Sequence, residues 1–207
     1  MDFLSLVRYS NVACRVWKVG AMYRDNSLIP KEAIRMAALG ALINGNRSYI
    51  DISTEVRQFS ARIVGPSLDL LGTSIELLKL EGLIEVVENP GGDAEELLRL
   101  TTSGFQELKE YLRSTIRSGS SDLNKLVVAL KLRFIEVLEP SERLDQLVGL
   151  QTMYQAERNR LQDLRKHKKW SAGLLPGLLD LELVVTDQRL SWCGEQVEKI
   201  EKIISSS

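Results

Sequence analysis

Histidine and cysteine are almost missing from this chain of 207 residues, which has one His and two Cys. Cys14 and Cys193 stand far apart, so no disulfide framework is expected, and two idle thiols in a reducing compartment is the simple reading. One His and two distant Cys also give no zinc-ligand spacing. His167 lies in the run Arg165-Lys-His-Lys-Lys169, where catalysis of the Ser-His-Asp kind has no support. Gly91 and Gly92 sit in a turn, not between a strand and a helix, so they do not read as a phosphate-cradling loop. No catalytic residue, metal or cofactor is expected. No apolar run approaches the roughly 18 residues of a membrane span. The start Met1-Asp-Phe-Leu-Ser-Leu-Val-Arg8 lacks a basic stretch followed by a long apolar core, so no signal peptide is expected and the reading is cytoplasmic. The net charge of -1 gives no global pull towards nucleic acid.

What remains is an ordinary globular composition, 44% hydrophobic and 27% charged. Leu68, Leu71, Ile75 and Leu78 step by three, four and three, which puts them on one face of a helix. Pro66 and Ser67 suit its start, and Gly82 suits a stop that needs positive φ. Leu83-Ile-Glu-Val-Val87 then reads as a strand, Asn89-Pro-Gly-Gly-Asp93 as a turn, and Leu97-Leu-Arg-Leu100 as a second strand. Upstream, a helix begins at Ile29-Pro30 with Ile34, Ala37, Ala38, Leu39 and Leu42 inward. A second runs from Ser48 to Phe59 with Tyr49, Ile52, Val56 and Phe59 on one side. Thr101-Thr-Ser-Gly104 caps a further helix, Phe105 to about Arg117. Helix, helix, helix, strand, turn, strand is the order of a winged helix-turn-helix, whose third helix is the one usually offered to the DNA major groove.

The second half is helical. Ser118-Gly-Ser-Ser121 marks a joint, and Asp122 is expected to cap a helix running to Leu138. Pro140-Ser141 opens a long helix with Leu147, Leu150, Tyr154, Leu161 and Leu164 at seam positions. It ends in the Arg165–Lys169 cations, which read as a helix-end charge or as a phosphate contact. In the last helix Leu179, Leu183, Thr186, Leu190, Cys193, Val197, Ile200 and Ile204 alternate steps of four and three. Two seamed helices in a hairpin have little core of their own, so a homodimer through Leu147, Leu150, Tyr154, Leu161, Leu183, Leu190, Val197, Ile200 and Ile204 is expected. The expected organisation is mainly α. Residues 1–30 form an extension, 31–117 the winged helix-turn-helix with three helices and a β-hairpin wing, and 122–204 a coiled-coil-like dimerisation domain. The extension carries Arg8, Arg15, Lys18 and Arg24 among apolar residues, so it reads either as a cover for neighbouring apolar surface or as a basic arm reaching DNA.

The segments Ala38-Leu-Gly-Ala-Leu42, Leu78-Lys-Leu-Glu-Gly-Leu-Ile84 and Leu98-Arg-Leu-Thr-Thr-Ser-Gly104, in this order and with Tyr49 opening the second helix, resemble the PadR family of bacterial transcriptional regulators. Leu130-Lys-Leu-Arg-Phe-Ile-Glu-Val-Leu-Glu-Pro-Ser-Glu-Arg-Leu144 is similar to the C-terminal helical domain of the subgroup related to the virulence activator AphA. The resemblance covers roughly residues 31–204 and implies a dimeric DNA-binding regulator, a repressor acting on a double-stranded operator. It also implies a small aromatic effector, for which Trp170, Trp192 and Tyr154 supply the aromatic surface; core packing is the competing reading for them. Arg47, Arg57, Arg62, Ser67, Thr73, Ser74 and Lys79 are the polar candidates for contacts to phosphates or base edges, chosen from their place beside the third helix.

The sequence departs from the family in ways that bear on this expectation. Gly72 stands where members carry a Tyr in the third helix, and Leu98 where they carry an aromatic. The wing holds Glu88, Asp93, Glu95 and Glu96 and no Lys or Arg, and carboxylates there repel phosphates. Residues 31–113 carry about 9 basic and 13 acidic side chains, against the basic face usual for a DNA-binding domain. Leu70, Leu77 and Leu80 lie off the main apolar face. A second expectation therefore stands beside the first: a winged helix turned to protein interaction, with weak or no DNA binding.

Overall fold

The structure, a computed structural model, describes residues 27–65, 71–87, 96–116, 121–167 and 172–206, with backbone alone at 71–74. Residues 1–26 of the expected 1–30 extension, Ser67, the wing tip at 88–95 and Trp170 lie outside the described residues, and Cys14 with the first of these. The chain is mainly helical, with one small sheet. Helix α1 spans Pro30–Ala41, α2 Tyr49–Val64, α3 Leu71–Leu80, α4 Thr102–Arg113, α5 Asp122–Arg133, α6 Pro140–Lys166 and α7 Leu175–Ser206. Strands β1 (Arg47–Ser48), β2 (Ile84–Val87) and β3 (Leu97–Leu100) form an antiparallel sheet in the order β1-β3-β2. No helix among the described residues is long and apolar enough to cross a membrane.

The first core grows around α1. Its residues Ala33 to Leu42 are all buried, because α2, α3, α4 and α5 pack around it. The run of Ala33, Ala37, Ala38 and Ala41 keeps the helix thin enough for that crowding. One charge lies within it. The Arg35 guanidinium, 7% exposed, donates from Nε to the Tyr111 hydroxyl at 2.8 Å and from Nη1 and Nη2 to the two oxygens of Glu81. These bonds tie α1 to α4 and to the turn after α3. Such a buried cation is tolerated because its donors are matched.

Local chemistry fixes the element ends. The Ile29 N–H donates to Glu32 Oε2 at 2.8 Å at the start of α1. Ser48 Oγ accepts the Asp51 N–H at the start of α2. Gly82, at φ +70°, ends α3 in the left-handed region, as its position predicted. Thr101 Oγ1 accepts the Gly104 N–H at 3.0 Å and also donates to the Gly82 and Leu83 carbonyls, locking α4 onto the loop that leads into β2. Gly104 lies so close to the Leu83 carbonyl oxygen that any Cβ there would collide with it, and would also come within 2.9 Å of Leu100 Cδ1.

One strand was missed and three local expectations are corrected. Strand β1 was not foreseen, since two residues carry no periodicity; it exists because Arg47 and Ser48 pair with Leu98 and Leu97. Ser121, not Asp122, caps α5, its Oγ accepting the Asn124 N–H at 3.2 Å. The helix expected to reach Leu138 stops at Arg133; Phe134 turns aside to pack against α1, and a short 3-10 helix (Ile135–Val137) follows. Tyr49, expected inside, is 37% exposed.

Helix α5, which the sequence groups with the second half, contributes Leu126, Val127 and Leu130 to the same core as α1, and Phe134 just beyond its end joins them. A smaller cluster of Leu150, Met153 and Cys193 joins α6 to α7. These two helices run antiparallel, with Arg165 paired to Asp180 and Arg158 to Asp187 across the hairpin. The two regions meet at α4. Glu142, near the start of α6, accepts the Glu139 N–H at 3.1 Å, Arg113 Nε at 2.8 Å and Arg113 Nη2 at 2.5 Å. Beside it lies Lys131, 4% exposed. Its ammonium donates to the Leu112 carbonyl at 2.6 Å, to the Ser114 carbonyl and to Gln146 Oε1 at 2.9 Å. Burial pushes this Lys down to about 8.

Two outcomes follow from these joints. The Gly104→Ala chain should be less stable by about 2–3 kcal/mol in urea unfolding, since the neighbour it meets is backbone that cannot step aside. For Lys131, the folded state releases its proton near pH 8 while the unfolded chain keeps it to the ordinary value of 10.5. Stability therefore rises with pH across that window. Against a Lys131→Met chain, which does not titrate there, the wild type should gain on the order of 2 kcal/mol between pH 7 and pH 10 in parallel urea melts.

Candidate nucleic-acid interface

Helices α2 and α3, with the β2–β3 hairpin behind them, have the connectivity of a helix-turn-helix followed by a wing. Helix α3 is held from inside by Ile75 and Leu78, both fully buried. Its outer side carries Glu76, Lys79 and Leu80. Strand β3 is held by Leu98, a core residue 2% exposed.

Three of the cations on this side, Lys79, Arg99 and Arg47, are engaged by carboxylates. Lys79 Nζ lies 3.8 Å from Glu76 Oε2 and 3.7 Å from Glu96 Oε2, so it sits between two carboxylates, one on its own helix and one at the edge of the wing. Glu85 and Arg99 face each other in register across β2 and β3, and Arg99 Nε and Nη2 donate to Glu85 Oε1 at 2.9 and 2.6 Å. Arg47 on β1 is bound to Glu55 on α2. Arg62 is exposed and donates from Nη1 to the Gln58 carbonyl at 2.9 Å. Arg57 is exposed on the same helix. Thr73 and Ser74 lie in the first turn of α3, where the backbone alone is described; Ser67 lies outside the described residues. The structure thus brings Arg47 and Arg62 to one groove, which Lys79, beside Glu96 at the wing edge, does not line.

One participant escaped the sequence reading. Arg133, at the end of α5, donates to the second oxygen of Glu55, and its guanidinium stacks 4.7 Å from the Phe59 ring and 5.0 Å from the Phe134 ring. Arg133 and Glu55 are 78 residues apart, so no local pattern announced the contact. Arg47, Arg62 and Arg133 with Asp51, Glu55 and Gln58 line a groove of about 480 Å³. Burial alone would raise the Glu55 carboxyl, but hydrogen bonds from Arg47 and Arg133 outweigh it and hold the group below the usual carboxylate range. Among the described residues, no cluster of His, Cys, Asp and Glu is placed to hold a metal ion.

The residues expected at a dimer contact divide into three sets. Leu147, Leu150 and Leu161 are already buried within the single chain, under α7. Tyr154, Leu183, Leu190, Val197 and Ile200 are half-buried, and Ile204 is exposed. A further set on α7, Leu178, Leu181, Val184, Trp192 and Ile203, faces solvent. Leu179, Thr186 and Cys193, seven residues apart along the seam, are spent inside the hairpin, while Ile200, the next in the series, is half-buried. Tyr154 lies under Arg189, whose guanidinium is 5.6 Å from the ring, beside a cavity of about 300 Å³ lined by Ile63, Val128, Leu132 and Met153.

Comparison with known proteins gives this arrangement a family. Similar solved structures include Bacillus subtilis PadR in complex with operator DNA, at 22% identity over 81% of this chain and 98% of that one, with a TM-score of 0.33. The same Bacillus subtilis protein in complex with p-coumaric acid gives 22% identity, 82% and 99% coverage and a TM-score of 0.36. The PadR-like transcriptional regulator BC1756 from Bacillus cereus gives 14%, 82%, 98% and 0.35. No curated protein matches the chain in sequence. The family model described as "Putative AphA-like transcriptional regulator" matches residues 23–197, most of the chain. With a helix-turn-helix and wing at one end and a helical hairpin at the other, this chain belongs to the AphA-like family of transcriptional regulators.

Proposed function

We propose that this regulator acts as a homodimeric repressor that binds double-stranded operator DNA through α3 and the flank of α2. The observation that carries the reading is the family match over residues 23–197. The order α2, α3, β2, β3 in the same span supports it, since that is the framework with which winged helices enter a major groove. Helix α3 takes the groove, with Thr73 and Ser74 at its leading turn. Arg47, Arg57 and Arg62 take backbone phosphates along α2, and Lys79 takes one beside the wing. Residues 31–117 form the DNA-binding domain in this reading and 122–204 the dimerisation domain, with α5 as the piece shared between their cores.

Helix α7 supports the dimer reading. Leu178, Leu181, Val184, Trp192 and Ile203 are exposed along one long helix, and a second copy of that helix is an economical cover for them. The half-buried Leu183, Leu190, Val197 and Ile200 extend the contact. A small aromatic acid is the proposed effector, stacked near Tyr154 over the Met153 and Leu132 floor with its carboxylate towards Arg189. A second reading has one specific observation in its favour. Lys79 is flanked by Glu76 and Glu96, while the neighbouring Leu80 is 83% exposed, a surface better suited to protein than to phosphate.

Titration of the purified protein with duplex DNA of random sequence at about 50 mM salt, followed by rising salt, separates the two. The repressor binds, and its affinity falls steeply with salt. Arg62→Ala should weaken all sequences alike and lower the salt slope by about one. Absence of binding at low salt favours the protein-interaction reading. In sedimentation, Leu181→Glu should convert a dimer to a folded monomer, because this side chain is exposed in the single chain; a wild type that sediments as a monomer sinks the dimer.

A further inference from the structure

We propose that Glu55 is a positioning residue that restrains Arg47 from the DNA backbone, and that Arg133 sets how hard it pulls. This rests on the DNA-binding reading above. Arg47 stands one residue before the Ser48 cap of α2, the edge of the helix-turn-helix where a cation would meet a phosphate. In the free protein its guanidinium is committed to one oxygen of Glu55. The other oxygen of the same carboxylate is committed to Arg133. Two guanidinium groups thus share one negative charge.

The sharing has a direction. Arg133 is fixed between the Phe59 and Phe134 rings, 4.7 and 5.0 Å from their centres, and it comes from α5, which the first core holds rigidly through Leu126 and Leu130. Arg47 stands on a two-residue strand; the two side chains are about equally exposed, at 33% and 36%, so the ring contacts and the rigid helix behind Arg133 are what distinguish them. When a phosphate arrives, Arg47 is the partner that can leave. Its departure costs less because Arg133 stays behind to compensate the carboxylate. Without Arg133, Glu55 would answer to Arg47 alone and hold it more tightly. Glu55 and Arg133 therefore act on DNA affinity with opposite signs, though neither needs to touch DNA. The contact also connects the DNA-facing edge to α5 and so to the segment that leads into α6.

The experiment measures DNA affinity and its salt slope for wild type, Glu55→Gln, Arg133→Met, Arg47→Gln and the Arg47→Gln/Glu55→Gln pair, each first shown to unfold cooperatively. Glu55→Gln should bind about threefold or more tighter and gain roughly one phosphate contact in the salt slope, close to 0.9 per contact. Arg133→Met should bind more weakly with a shallower slope. In the double variant the gain from Glu55→Gln should vanish, because Arg47 is the group it releases. A purely structural role for Glu55 would lower stability and leave the slope unchanged. The inference is overturned alone if wild type binds and Glu55→Gln keeps its affinity and slope, or if the gain survives loss of Arg47. If neither wild type nor Glu55→Gln binds duplex DNA at about 50 mM salt, the DNA-binding reading falls and takes this one with it.

Discussion

From Ala33 to Leu42, α1 gives no residue to water, and the rest of the first core is arranged to satisfy that constraint. A helix hidden on every side needs neighbours on every side, and here they are α2, α3, α4 and α5. The consequence is that the elements proposed to meet DNA cannot move independently. Helix α3 leans on α1 through Ile75 and Leu78, and the turn after it is pinned by Glu81 to Arg35. Arg35 in turn grips Tyr111 on α4. The hydroxyl of Tyr111 is pushed upward chiefly by desolvation, so it remains a neutral phenol throughout the range in which cells operate. The Glu81 carboxyl is held below the usual carboxylate range by the Arg35 hydrogen bonds. Whatever stability this tie provides is therefore present at neutral pH and is lost only as acid protonates Glu81.

In the proposed reading, electrostatics accounts for how a module with more acids than bases could address a polyanion. Its cations are not missing; they are lent to carboxylates. Lys79, Arg99 and Arg47 each have an acidic partner, and each exposed pair is worth little on its own. A phosphate can exchange for a partner whose grip is shallow, and release of counterions then drives the exchange. The local balance matters more than the net charge: around Glu55 two guanidinium groups face one carboxylate, whereas around Lys79 one ammonium faces two. The flank of α2 is the stronger electrostatic candidate and the wing edge the weaker.

Much of the fold was legible in the chain. Apolar steps of three and four gave the helices, Pro30 and Pro140 their starts, and Gly82 the end of α3, because these signals are local and few conformations satisfy them. The strands at Ile84–Val87 and Leu97–Leu100 were legible for the same reason. Strand β1 was not, since its existence depends on a partner fifty residues away in the chain. The burial of Leu147, Leu150 and Leu161 within one chain was also hidden. A heptad pattern states that a seam exists and is silent on whether an intramolecular or intermolecular helix fills it. In the candidate site, residue type predicted which cations lie near α2 and α3, but not that Arg47 would be shared with Arg133, a contact made entirely by tertiary packing.

The meeting of α4 and α6 at Lys131 has a mechanical side. Helix α6 has 27 residues, about 40 Å of rod at 1.5 Å per residue, and it is braced along its length by α7. It is fastened to the first core along its first half, where Glu142 holds Arg113, Gln146 accepts from Lys131, and Leu150 and Met153 pack against Val128 and Leu132 of α5. A rod clamped over one half is a lever. A tilt of about 5° at the clamp sweeps its far end, about 20 Å away, through roughly 2 Å, more than half the rise between adjacent base pairs. In the proposed dimer, where hairpins meet along α7, the same angle works in reverse, and slack at the clamp becomes slack in the distance between the two α3 helices. In that reading, the three acceptors around one buried ammonium help to set the tolerance with which a pair of these chains would measure the separation of its half-sites.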